Sequence, residues 1–123
     1  MTSAMHLIQE AKSKVRCIDL PAAKALIKAG DITLLDVREK IEYDAGHIEG
    51  SEHISRGVLE MRIENNPAFK DRGAAILVYC KSGGRSALAA ATLQDMGYSN
   101  TYSLEGGFDA WSKHQDLPEG IVD

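Results

Sequence analysis

The stretch from Ala74 to Met96 constrains this chain more than any other. Ala74-Ala75-Ile76-Leu77-Val78-Tyr79 is an unbroken apolar run of strand length, as a strand buried on both faces requires. It passes at once into Cys80-Lys81-Ser82-Gly83-Gly84-Arg85, and then into a helical pattern from Ser86 to Met96 with Gly97 at its end. Adjacent glycines let the backbone turn successive N–H groups inward. With the following helix's N-terminus they make a cradle for an anion, to which Lys81 and Arg85 add two positive charges. Cys80 stands at the C-terminal end of the strand, where ligands of parallel sheets bind.

The rest of the chain is consistent with that unit. Leu7, Ile8, Ala11 and Val15 recur at helical spacing, and Val15–Ile18 reads as a short edge strand. Asp19 is an expected N-cap, with Pro21 in the first turn and Gly30 closing the helix Ala22–Ala29. Ile32–Val37 reads as a second buried strand, Lys40–Ala45 as a weak helix ended by Gly46, and His53-Ile54 as a short strand. Val58, Leu59, Met61 and Ile63 are expected on one face of an amphipathic helix. Thr101–Leu104 is a further strand, and Gly107–His114 a last short helix. Strands alternate with helices, without repeats or linkers, which predicts an α/β layer fold with a largely parallel sheet.

A thiol in this field is expected below its ordinary pKa of about 8.5. A fall of about two units would raise the thiolate share at pH 7 from about 3% to about 75%. Intrinsic nucleophilicity would drop roughly tenfold meanwhile, leaving a net gain of only about two- to threefold. The loop therefore serves mainly to hold an anionic substrate and an anionic covalent intermediate, in which charge stays on sulfur after attack. Cys17 has Arg16 as its one cationic neighbour in an apolar strand. It reads as a small buried hydrophobe, with a resolving role toward Cys80 as the alternative.

Other classes of function are disfavoured. The 123 residues carry 14 Lys+Arg against 18 Asp+Glu, a net charge of −4, whereas a nucleic-acid platform needs a basic face. Two cysteines 63 positions apart match neither a disulfide framework nor a C-x-x-C zinc site. No stretch approaches the roughly 18 apolar residues of a membrane span. Met1–Glu10 lacks the basic start and apolar run of a secretory signal, so a cytoplasmic protein is expected.

Three segments resemble the rhodanese family, in particular its single-domain sulfurtransferases. Cys80-Lys81-Ser82-Gly83-Gly84-Arg85-Ser86 looks like the family's Cys-x-x-Gly-x-Arg-Ser/Thr loop. Asp36-Val37-Arg38, Glu42-Tyr43, Gly46-His47-Ile48 and Gly50 resemble its upstream signature, and Gly106-Gly107 with Trp111 its closing segment. Lys81 stands where many members have Arg, which weakens a bidentate grip on an oxyanion, and Glu49 where many have Pro.

The resemblance implies a three-layer domain with about five mostly parallel strands and helices on both faces. Residues 16–113 would form the core, 1–15 a helical extension and 114–123 a tail. It also implies double-displacement sulfur transfer without cofactor or metal. Cys80 would take the outer sulfur of thiosulfate or a similar small anionic donor and pass it to cyanide, a thiol or a protein acceptor. Lys81, Ser82, Gly83, Gly84 and Arg85 would bind substrate. Ser86 would hydrogen-bond the sulfur or cap the helix. Asp36 would orient Arg85, or else hold the next turn as a structural contact. Arg38, Glu42 and His47 read as scaffold, and Trp111 as a core anchor. A phosphatase or arsenate reductase of the same fold would carry Cys-x5-Arg, one residue longer than the Cys-x4-Arg here. A persulfide carrier fed by a partner protein is compatible with every residue quoted.

Overall fold

A computed structural model describes residues 2–113. Five strands, β1 (Arg16–Ile18), β2 (Ile32–Asp36), β3 (Glu52–His53), β4 (Ala75–Tyr79) and β5 (Thr101–Leu104), form one sheet in the order β1-β5-β4-β2-β3. Every pairing is parallel. The central strand is β4, the apolar run that leads to Cys80.

Alternation along β4 divides the core. Ile76, Val78 and Cys80 join Leu35, Val37, Leu59, Ile63 and Leu93 in one cluster, whereas Leu77 and Tyr79 join Ala23, Leu34, Ile48 and Leu104 in another. Successive strand side chains point to opposite faces, so the sheet has a core on each side. The first is covered by α1 (Ala4–Lys14), α4 (Leu59–Ile63) and α5 (Gly84–Asp95); the second by α2 (Leu20–Ala29) and α6 (Gly107–Lys113), with α3 (Lys40–Ala45) following β2. The result is the expected three-layer α/β arrangement.

The caps follow the residues. The Asp19 carboxylate accepts the Ala22 N–H at 3.0 Å, and Gly30 closes α2 at φ 92°, in the left-handed region where glycine is favoured. Observed elements differ from the expected ones mostly by a residue or two at their ends. One difference is substantive. Arg56–Val58 forms a 3-10 turn ahead of α4, Leu59 and Ile63 are buried, and Met61 is 70% exposed. Leu59 and Ile63 lie four apart and share a helix face, while Met61, two from each, faces away. A second 3-10 turn, Pro67–Phe69, was not anticipated. His114 and the expected tail lie outside the described residues. No helix among the described residues is long and apolar enough to cross a membrane.

Candidate active site

Period-two alternation carries the Cys80 side chain onto the face where α5 begins. Gly83, the N-cap of α5, has φ 112° and no side chain with which to cap. The Cys80 sulfur takes that place: Sγ accepts the Gly83 N–H at 3.1 Å and the Ser86 N–H at 3.3 Å. Two amides and the positive end of a helix thus converge on one sulfur atom, an arrangement that favours negative charge there. Cys80 is only 1% exposed, yet these neighbouring amides are turned toward it.

A buried hydroxyl pair lies behind the sulfur. Sγ is 3.5 Å from Ser86 Oγ, which is 2.8 Å from Ser103 Oγ and donates to the Gly83 carbonyl at 3.2 Å. Ser86 therefore touches both the sulfur and the turn that holds it. Ser103, on β5, was not anticipated as part of the site.

The cations are not free. Arg85 Nη1 and Nη2 donate to Glu42 Oε1 and Oε2 at 2.7 and 3.0 Å. This fork-to-carboxylate pairing, with the Glu39 amide on Oε1 at 3.0 Å, holds the Glu42 carboxyl down to about 2. Lys81 Nζ meets both Asp109 oxygens at 3.0 and 3.1 Å, in an exposed pair. Ser82 is exposed, and Gly84 lies under Ile8 of α1, 3.1 Å from where a Cβ would stand. The cationic pocket expected from Lys81 and Arg85 is thus balanced by two carboxylates.

The loop is braced from the opposite side by the start of α6. Phe108 N–H donates to the Cys80 carbonyl at 2.7 Å and Asp109 N–H to the Lys81 carbonyl at 3.0 Å. Gly107, at φ 54°, permits this approach, because a Cβ there would overlap both carbonyls.

Asp36 does not reach Arg85. It is fully buried and accepts from the Arg38 backbone N–H at 2.9 Å and from Arg38 Nη2 at 2.7 Å, while Nη2 also donates to the Gly46 carbonyl. This is the structural contact that holds the next turn, and Glu42 has the place considered for Asp36. Glu42, expected as scaffold, instead grips the loop through Arg85, and its place in the same upstream segment as Arg38 is the sequence signal for that contact. His47 stacks on Tyr43 with centroids 3.7 Å apart and points Nδ1 at the Tyr43 carbonyl, a supporting arrangement. Trp111 is half-buried against the second core, with Lys24 Nζ 5.4 Å from its ring. The Cys17 thiol is pushed up by burial, with Glu105 adding to the effect, which disfavours the thiolate that a resolving cysteine needs. Among the described residues no group of His, Cys, Asp or Glu is arranged to hold a metal ion.

A family model for the rhodanese-like domain matches residues 19–114. The chain belongs to the rhodanese family. Thiosulfate sulfurtransferase GlpE of Coxiella burnetii is 36% identical over 89 residues, covering 72% of this chain and 79% of that protein. Among solved structures, a Rhodopseudomonas palustris protein of unknown function, described as a possible tyrosine phosphatase, is 35% identical with a TM-score of 0.87; the match covers 97% of this chain and 96% of that one. The human single-domain sulfurtransferase TSTD1 is 25% identical with a TM-score of 0.73, over 80% of this chain and 96% of that one. In this rhodanese domain the three sequence segments meet at one place: the Cys80 loop is gripped by Glu42 from the upstream segment and by the Gly107 turn from the closing one.

Proposed function

We propose that this rhodanese is a sulfurtransferase that moves sulfane sulfur from thiosulfate or a similar donor to a thiol or cyanide through a Cys80 persulfide. The observation that carries this reading is the convergence of the Gly83 and Ser86 amides on Sγ at the N-terminus of α5. Cys80 thiolate attacks the outer sulfur of thiosulfate, a sulfur–sulfur bond forms, the donor's own sulfur–sulfur bond breaks, and sulfite leaves with the bonding pair. Charge is three minus on both sides, and the persulfide anion keeps one of them. The acceptor then attacks the outer sulfur and Cys80 leaves as thiolate, so covalent catalysis divides one transfer into two. The amide pair stabilises the anion at each stage, and Ser86 Oγ–H can turn from the Gly83 carbonyl to sulfur once the thiol proton is gone. Because Cys80 is buried, the donor presents its terminal sulfur end-on.

The description attached to the Rhodopseudomonas protein raises the phosphatase alternative. Two features favour sulfur transfer. The Cys-x4-Arg loop is one residue shorter than a phosphate ring, and Arg85 is engaged by Glu42 through one N–H of each terminal nitrogen, which directs its fork toward that carboxylate. A persulfide carrier fed by a partner would use the same sulfur site and differ in its donor. Residues 1–15 are assigned as an extension of the 16–113 core, with α1 packed along α5. A reducing, cytoplasmic setting suits the free thiol.

Intact-mass measurement tests the reading. Thiosulfate should add one sulfur, about 32 Da, to the wild-type protein and nothing to Cys80→Ser. Release of phosphate from p-nitrophenyl phosphate that disappears in Cys80→Ser would overturn it. Rapid loading by a desulfurase with slow thiosulfate turnover would favour the carrier.

A further inference from the structure

The charges around Cys80 carry an inference about which donors the site accepts, resting on the sulfur-transfer reading above. Lys81 and Arg85 are the two cations of the loop, and each is matched by a carboxylate. The pairs are not equivalent. Lys81 and Asp109 are 62% and 55% exposed, so their attraction is weak and readily exchanged. Arg85 and Glu42 are 35% and 28% exposed and joined by two hydrogen bonds of 2.7 and 3.0 Å. Of the other charges that act on this pair, Arg38 is itself paired with buried Asp36, and Glu39 is a further anion near Arg85. Beyond the amides and the helix end, a doubly charged ligand therefore meets side-chain cations that are already paired, on a chain of net charge −4.

We propose that Glu42 is a specificity-determining residue: by pairing with Arg85 through both terminal nitrogens and offsetting its charge, its carboxylate makes the Cys80 site favour singly charged sulfane donors, thiol persulfides and thiosulfonates, over the thiosulfate dianion. For a thiosulfonate, Cys80 thiolate attacks the terminal sulfur, the new sulfur–sulfur bond forms, and the old one breaks to release sulfinate with its bonding pair. Charge is two minus before and after. Glu42 touches neither sulfur nor donor in this account. It acts through Arg85.

The test compares wild type with Glu42→Gln, using thiosulfate and benzenethiosulfonate as donors and the rate of Cys80 persulfide formation by intact mass as readout. The substitution keeps an acceptor for the Glu39 amide and for one Arg85 N–H, and a thermal melt checks that the fold persists. Coulomb energy scales with ligand charge, so kcat/KM should rise about tenfold for the dianion and about threefold for the monoanion, mostly through KM. A second measurement needs no variant. With Arg85 already neutralised, wild-type kcat/KM for thiosulfate should change less than about twofold between roughly 20 and 300 mM salt. Equal effects of Glu42→Gln on the two donors, a loss with thiosulfate, or a steep fall of the wild-type rate with salt would overturn the assignment while leaving sulfur transfer intact. Absence of persulfide with both donors in wild type would instead overturn the sulfur-transfer reading, and this inference with it.

Discussion

Phe108 donates its backbone N–H to the carbonyl of Cys80 across 2.7 Å, so the residue bearing the sulfur is fixed from behind by the first turn of α6. Side chains play no part in this contact. It depends on how closely two backbones approach at Gly107.

Gly107→Ala should therefore be far more costly than an ordinary glycine replacement. Its Cβ would overlap the Cys80 and Lys81 carbonyls, whereas Gly50, also at positive φ, has open space around it. Gly50→Ala should cost about 1 kcal/mol from backbone conformation alone. Gly107→Ala should cost roughly 3 kcal/mol or more, with overpacking added. Urea denaturation of the two variants gives the comparison, and equal losses would mean that the turn relaxes freely.

Ser103 should matter to the reaction without touching its reactants. Its hydroxyl is 2.8 Å from that of Ser86 in a buried setting, and loss of a buried partner costs about 1–3 kcal/mol. Ser86→Ala should slow persulfide formation about tenfold, and Ser103→Ala by a smaller factor of about three. Single-turnover rates by rapid quench would show the order, and a larger effect at Ser103 would contradict it.

The Asp36–Arg38 pair should be a matter of stability. Both groups are nearly inaccessible, and removing one partner leaves a buried charge uncompensated. Asp36→Ala should cost about 3–5 kcal/mol in unfolding free energy. The fraction that remains folded should form persulfide at a rate within about twofold of wild type. A selective loss of rate in a stably folded variant would restore Asp36 to the reaction.

The Glu42 carboxyl, held at about 2 instead of 4.5 by Arg85, sets a pH window. Its folded-state pKa is depressed, so its contribution is fully present above the unfolded value and is lost as pH falls from about 4.5 through about 2. Partial exposure screens the pair, which limits the contribution to about 1 kcal/mol. Wild type should exceed Glu42→Gln in stability by that amount at pH 7 and match it near pH 2. A difference independent of pH would point to packing.

The strand, loop and helix around Cys80 were legible because their signals are local: an apolar run, adjacent glycines and a helical pattern within 23 residues of one another. The parallel sheet followed from the alternation of elements. Partners of the charges were not legible. Arg85 meets Glu42 across 43 positions, and only the placement of α3 against the loop decides between that carboxylate and Asp36. The same holds for Ser103, a hydroxyl in a short strand with nothing in its neighbours to distinguish it. Met61 differs for another reason: it lies two residues from both Leu59 and Ile63, a spacing that puts it on the opposite side of an α-helix, so it does not belong to their face.

Since the sulfur of Cys80 completes the first turn of α5, a change of bonding at that atom is also a change at the helix's end. Adding a second sulfur moves the negative charge outward, and the Gly83 and Ser86 amides must follow it or lose it. Their NMR resonances therefore report whether the protein is loaded, without any label on the cargo.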